Sequence, residues 1–166
     1  MKFVVAVLAC VPLLGQDWAA DMQSARSAMM KSDFAQAEEL LKSAETKMSK
    51  RLGDEAPQLD SVWRMLASLY DRAHRYPEAI AIDEKRLTLW RKVAGPREVV
   101  VARTLSELAA EEWASGDLEA ATQHLQQAIM MFAEKIGNQR PTAEAWMDLA
   151  RLEAVKNEAR ERIRVA

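Results

Sequence analysis

"FAQAEELL" spans Phe34 to Leu41, "YPEAIAID" spans Tyr76 to Asp83, and "LEAATQHL" spans Leu118 to Leu125. Each carries alanine at its fourth position, and Ala37, Ala79 and Ala121 are evenly spaced, since 79 − 37 and 121 − 79 both equal 42. Twelve residues before them stand Ala25, Ala67 and Ala109, and sixteen residues after them Gly53, Gly95 and Gly137. Three columns of small residues in three ungapped copies make an internal repeat, and a repeat organises a chain before any local motif does.

Within each copy the apolar residues recur at helical spacing. Leu66, Ala67 and Tyr70 fall on one helical face, and Ala37, Leu41 and Ala44 on another. Small residues belong where two helix axes cross within ~8–10 Å, and larger ones fill the hollows beside them. Each copy therefore reads as a pair of antiparallel helices that buries its second face only by stacking on the next. The punctuation agrees. Asp33 and Asp117 are placed to cap second helices, Gln36 completes a capping-box pattern, and Pro77 suits a first turn. Gly53, Gly95 and Gly137 stop second helices, and Pro57 and Pro141 open the next pair. The pattern predicts helices over 17–31, 34–52, 58–73, 76–93, 98–115, 118–136 and 142–155. Leu149-Ala150 falls one residue early for a fourth copy, so "KNEARERIRVA" reads as a polar closing helix.

Upstream halves read Trp63-x-x-Leu66-Ala67-x-x-Tyr70, Leu105-x-x-Leu108-Ala109 and Trp146-x-x-Leu149-Ala150, and downstream halves read Ala37-x-x-x-Leu41-x-x-Ala44 and Ala121-x-x-x-Leu125-x-x-Ala128. These stretches resemble tetratricopeptide repeats, with alanine in place of the usual glycine. The long spacing is similar to that of kinesin light chains, and the resemblance runs from about residue 17 to about residue 155. It implies an all-α fold: a right-handed solenoid of about three repeats (17–57, 58–99 and 100–141) plus a C-terminal cap over 142–166. Copy two departs from the column, with Asp83 and Arg86 where the others have Leu41/Ala44 and Leu125/Ala128. They are expected as an i, i+3 pair at an edge while Ile80, Ile82, Leu87 and Trp90 take over the packing.

The 166 residues carry a formal charge of −2 and 49% hydrophobic residues, a balance that leaves no basic footprint for nucleic acid. Lys2 followed by "FVVAVLACVPLLG" has the layout of a secretory signal peptide over residues 1–16, too short to span a bilayer. Export to a periplasmic or secreted location follows as an expectation. A buried or peripheral first segment is the other reading of the same run. "VLAC" also resembles a lipobox, in which Cys10 would anchor a structural subunit of an envelope assembly to lipid. With Cys10 as the single cysteine, neither an internal disulfide nor a cysteine zinc site is expected.

Nothing reads as catalytic and no cofactor is implied. His74 and His124 lie one copy apart, in a turn and on a helix, without metal-ligand spacing. Glu38-Glu39 and Glu111-Glu112 are adjacent on helices and are expected on solvated faces. Met29-Met30 and Met130-Met131 are expected in packing. What remains is a surface for a protein or peptide. The resemblance implies that first helices line a concave groove, and the positions flanking the Leu-Ala column include Arg26, Met29, Arg64, Arg72, Arg103, Trp113, Met147 and Arg151. Arginine forks grip carboxylates, and Met and Trp give adaptable apolar contact, so the expected ligand is a segment mixing acidic and apolar residues. The paired asparagine typical of kinesin light chains is absent, since Arg64-Met65 and Ser106-Glu107 stand there, so their cargo preference does not carry over. Trp90 or Trp113 at a rim would offer a route to self-association.

Overall fold

Every hairpin turn closes with the same backbone hydrogen bonds, set by residues one repeat apart. Asp33 N–H donates to the Ala28 carbonyl (3.0 Å), Arg75 to Tyr70 (2.8 Å) and Asp117 to Glu112 (2.9 Å). Between these partners Ser32, His74 and Gly116 each take a positive φ, of 59°, 57° and 95°. This is the double-bonded end in which a left-handed residue satisfies the last carbonyls of the first helix. The side chains of Asp33 and Asp117 then accept from the N–H of Gln36 and Ala120, capping the second helix. The middle copy has no side-chain cap and uses Pro77 in its first turn instead.

An L side chain in this conformation costs about 1 kcal/mol, which glycine avoids. A Cβ added at Gly116 would meet nothing within 4 Å, so strain alone sets its cost. Urea denaturation should show Gly116→Ala losing about 1 kcal/mol and Ser32→Gly gaining about 0.5 kcal/mol. Shifts of the same sign would contradict the shared geometry.

The computed structural model describes residues 17–165. Among the described residues there are seven helices and no strand: α1 (Asp17–Met30), α2 (Phe34–Leu52), α3 (Leu59–Arg72), α4 (Tyr76–Val93), α5 (Val99–Ser115), α6 (Leu118–Ile136) and α7 (Arg140–Val165). Each packs on its neighbours in chain order, and α5 also touches α7. That makes three hairpins, α1–α2, α3–α4 and α5–α6, closed by α7. The proposed signal segment, residues 1–16 with Cys10, lies outside the described residues.

The small columns sit where close packing requires them. Ala25, Ala37, Ala79, Ala109 and Ala121 have no exposed surface, and Ala67 is also buried. Around them the core forms two clusters. One joins Ala25, Leu41, Trp63, Leu66 and Tyr70 across the first two hairpins. The other joins Leu87 of α4 to Leu105, Leu108, Leu125 and Phe132 of the third hairpin and Leu152 of α7.

Two expectations need correction here. Asp83 and Arg86 do not lie at an edge: each is 1% exposed, at the seam where the second hairpin meets the third. The fourth copy is not begun by Trp146-x-x-Leu149-Ala150, because Trp146 is 54% exposed and Ala150 faces solvent. The buried face of α7 is instead Thr142, Ala145, Leu149 and Leu152, at spacings of 3, 4 and 3. Past Leu152 the helix runs on as a polar rod to Val165, with no glycine or proline to stop it.

Candidate binding trough

The odd-numbered helices share one face, and three hollows run along it. The first, about 290 Å³, lies between α1 and α3 and is lined by Arg26, Met29, Met30, Arg64, Met65, Ser68 and Arg72. The second, also about 290 Å³, lies between α3 and α5 over α4, with Ala67, Asp71, Asp83, Arg86, Glu107, Ala110 and Glu111 beside Arg64 and Ser68. The third, about 480 Å³, lies between α5 and α7 and includes Arg103, Ser106, Glu107, Ala110, Phe132, Glu144 and Asp148. Arg64 and Ser68 border the first and second hollows, and Glu107 and Ala110 the second and third. The three therefore form a continuous trough.

Of the residues expected to make a groove, Arg26, Met29, Arg64 and Arg72 meet around the first hollow, and Arg103 lines the third. Met29 is buried, and its carbonyl accepts from Arg72 Nη2 at 2.9 Å. The Arg72 guanidinium also lies 5.6 Å from the Phe34 ring centroid, so it is held in place. Trp113 is half-buried against the second core cluster rather than presented as a free aromatic, as is Trp90. Met147 is 51% exposed on α7, where Arg151 pairs with Asp148 at 3.1 Å.

The arginine-rich groove expected from first-helix positions is lined in the structure by charges that change along its length. Its α1–α3 end is basic and apolar, with Arg26, Arg64, Arg72, Met30 and Met65. Its middle and α5–α7 end carry Asp71, Asp83, Glu107, Glu111, Glu144 and Asp148 against Arg86 and Arg103. Counting from the Leu-Ala column found the rims and missed the floor, which α4 and the core side of α5 supply.

That floor is an ionic seam. Arg86 reaches Asp60 on α3 (Nε to Oδ1, 2.8 Å), Asp83 on its own helix (Nη1 to Oδ1, 2.7 Å) and Glu107 on α5 (Nη1 to Oε2, 2.7 Å). Asp60 is fully engaged, accepting also from Trp90 Nε1 and Arg64 Nη2, each at 2.8 Å. Asp83 Oδ2 and Glu111 Oε2 are buried and accept from no donor. Glu107 Oε2 touches Arg86 as an ion pair, but without the alignment of a hydrogen bond. Burial pushes Asp83 up to about 6 against the pull of Arg86. Burial, then the charges of Asp83 and Asp71, push Glu111 up to about 8.

Neither Glu111 nor Glu112 lies on a solvated face; each is 7% exposed. Glu112 is raised by burial and meets His124 Nδ1 at 2.8 Å, so His124 has a local partner. Glu38 is half-buried too. It accepts from Lys42 and Arg75, both at 2.6 Å, and from Tyr70 at 3.0 Å. His74 stays in its turn, with Nδ1 2.8 Å from the Tyr76 hydroxyl. Among the described residues no group of three or more His, Cys, Asp or Glu could hold a metal ion, and no helix is long and apolar enough to cross a membrane.

Residues 61–134, most of the second and third hairpins, match the tetratricopeptide repeat family. These two hairpins carry tetratricopeptide repeats. No curated protein matches the sequence. Among solved structures, a Podosopora anserina kinesin light chain protein of nearly identical TPR-like repeats superposes with a TM-score of 0.71 at 21% identity. The match covers 86% of this chain and 68% of that one. BtubC (BKLC) from P. vanneervenii gives a TM-score of 0.69 at 20% identity, covering 87% of this chain and 67% of that one. At such identities the likeness establishes the tetratricopeptide fold. Repeats of this family generally mediate protein–protein interaction, and the family is generally non-enzymatic.

Proposed function

We propose that the chain is a non-enzymatic scaffold that holds a segment of a partner protein along the trough, acidic and apolar groups toward α1–α3 and basic groups toward α5–α7. One observation carries the reading: the ordered change of lining charge from Arg26, Arg64 and Arg72 to Glu107, Glu144 and Asp148. Electrostatic matching of this kind fixes the direction and register of a bound segment more than its total affinity. A rigid stack also pays little ordering cost on its own side.

The test is a random peptide library selected against the folded chain, with the tightest peptide measured on variants. Arg26→Glu and Arg64→Glu should each weaken it about tenfold, as expected for loss of a charge-assisted contact worth ~1.4 kcal/mol. Glu39→Lys, exposed on α2, should leave it unchanged. Equal affinity for all three variants would remove the trough from consideration.

Export belongs to the same proposal and rests on Lys2 and the apolar run after it. Mass spectrometry of the protein from its native cell should find a chain beginning near Gln16 or Asp17. A lipidated Cys10 at the N-terminus would favour the anchored envelope subunit instead, and an intact Met1 would exclude both.

A further inference from the structure

The middle hollow is short of positive charge. Asp60, Asp83, Glu107 and Glu111 gather round one buried cation, Arg86, with Arg64 reaching Asp60 from a half-exposed position. Buried carboxylate oxygens normally have partners, and each exception calls for an explanation. Here two unpartnered oxygens, Asp83 Oδ2 and Glu111 Oε2, belong to side chains 1% and 7% exposed that line the same hollow. Glu107 Oε2, in that lining too, has an ion pair but no hydrogen bond.

We propose that this hollow is a specificity pocket for one lysine side chain of the bound segment, its ammonium taking up the unpartnered oxygens of Asp83 and Glu111 and sharing with Arg86 the Glu107 oxygen that is ion-paired but accepts no hydrogen bond. An ammonium is a compact charge with three donors, one for each of those oxygens. Ala67, Ser68 and Ala110 give the hollow small-residue walls, which admit an apolar four-carbon stem. A metal ion does not fit the same role, since no metal-holding group of acids is found among the described residues. The inference rests on the trough being the binding face and adds to it one obligatory residue of the partner.

Proton release comes with the pocket. Empty, Glu111 faces Asp71 on α3, Asp83 and Arg86 on α4 and Glu107 on its own helix, and burial among these acids keeps it protonated near neutral pH. An ammonium seated beside it favours the ionised form, so binding expels a proton and strengthens with pH.

The probe is Nα-acetyl-lysine methylamide, titrated into the full chain while the ¹³C carboxyl signals of Glu111 and Asp83 are followed. Those two signals should shift, and affinity should rise about fivefold to tenfold per pH unit between roughly pH 6 and 8, flattening above. Glu111→Gln should abolish that pH dependence and weaken binding at about pH 8.5, with its circular dichroism spectrum confirming the fold. Tighter binding by methylguanidinium would overturn the lysine assignment. Absence of a Glu111 shift at about 50 mM probe and pH 8.5, a concentration that should fill even a weak site, would overturn the pocket. The selected peptides separate the two levels. If they need Arg26 and Arg64 while the blocked lysine fails, only the pocket falls. If the blocked lysine moves Glu111 while no peptide depends on Arg26 or Arg64, only the trough falls.

Discussion

Arg86→Ala is expected to destabilise the chain by about 3–5 kcal/mol, the cost of removing one partner from a buried charge network. The guanidinium is 1% exposed and is the one buried cation touching Asp60, Asp83 and Glu107 together. Without it three carboxylates from three helices face one another across the seam between the second and third hairpins. Arg86→Lys should recover little, because a single ammonium cannot reproduce the separate Nε and Nη1 contacts. The double variant Asp83→Leu/Arg86→Ala should recover at least half of the loss. It restores the pair found in the other copies, Leu41/Ala44 and Leu125/Ala128, and well-packed apolar residues often replace a buried ion pair without penalty. Guanidinium denaturation gives all three values. A loss below about 1 kcal/mol for Arg86→Ala would mean that the seam is hydrated and the network idle.

The second large effect is a dependence on pH. Glu111 ionises near 4.5 in the unfolded chain, whereas burial, Asp83 and Asp71 push it up to about 8 in the fold. As pH climbs past 4.5 the unfolded state gains from ionisation while the folded carboxyl stays protonated. Its contribution is therefore intact below pH 4.5 and is lost as pH rises through 8. Asp83, raised to about 6 by burial, adds to the decline above its ordinary 3.8. Glu38 acts in the opposite direction. Burial raises it, but hydrogen bonds from Lys42, Arg75 and Tyr70 outweigh that and hold it at about 2, so its contribution is lost as pH falls from 4.5 toward 2. Stability should peak near pH 5 and fall toward pH 8, within the range of those two windows. Glu111→Gln, whose amide can donate to a neighbouring carboxylate, should flatten the fall above pH 6 and gain about 2 kcal/mol at pH 8. Urea titrations at several pH values check this. A variant that follows the parent curve would show that Glu111 is ionised at neutral pH.

How much of this was legible in the sequence depends on which rule a residue obeys. α2, α4 and α6 begin and end where the repeat predicts, since Asp33, Pro77, Asp117, Gly53 and Gly137 impose their dihedrals or caps locally. "KNEARERIRVA" was legible as a closing helix, but its continuation without a break from the apolar part of α7 was not. The apolar period of α7 stops after Leu152, yet a helix needs no apolar face to continue when nothing breaks it. The basic end of the trough was readable from exposed first-helix positions, but its acidic floor was not. Glu111 stands in the column of Leu69 and Asp60, which Arg86 holds, in that of Ala102, both columns buried in their own copies. The columns thus did mark these acids as buried. The general rule that charges stay in water prevailed over the column, and at a seam with Arg86 it fails.

The polarity of the trough is tested most directly by a nitroxide label on the acidic end of the tightest selected peptide, read by paramagnetic broadening of the chain's amide signals. Broadening centred on Met30, Ser68 and Arg72 is the predicted result. Broadening centred on Glu144 and Asp148, or on the exposed faces of α2, α4 and α6, would contradict it.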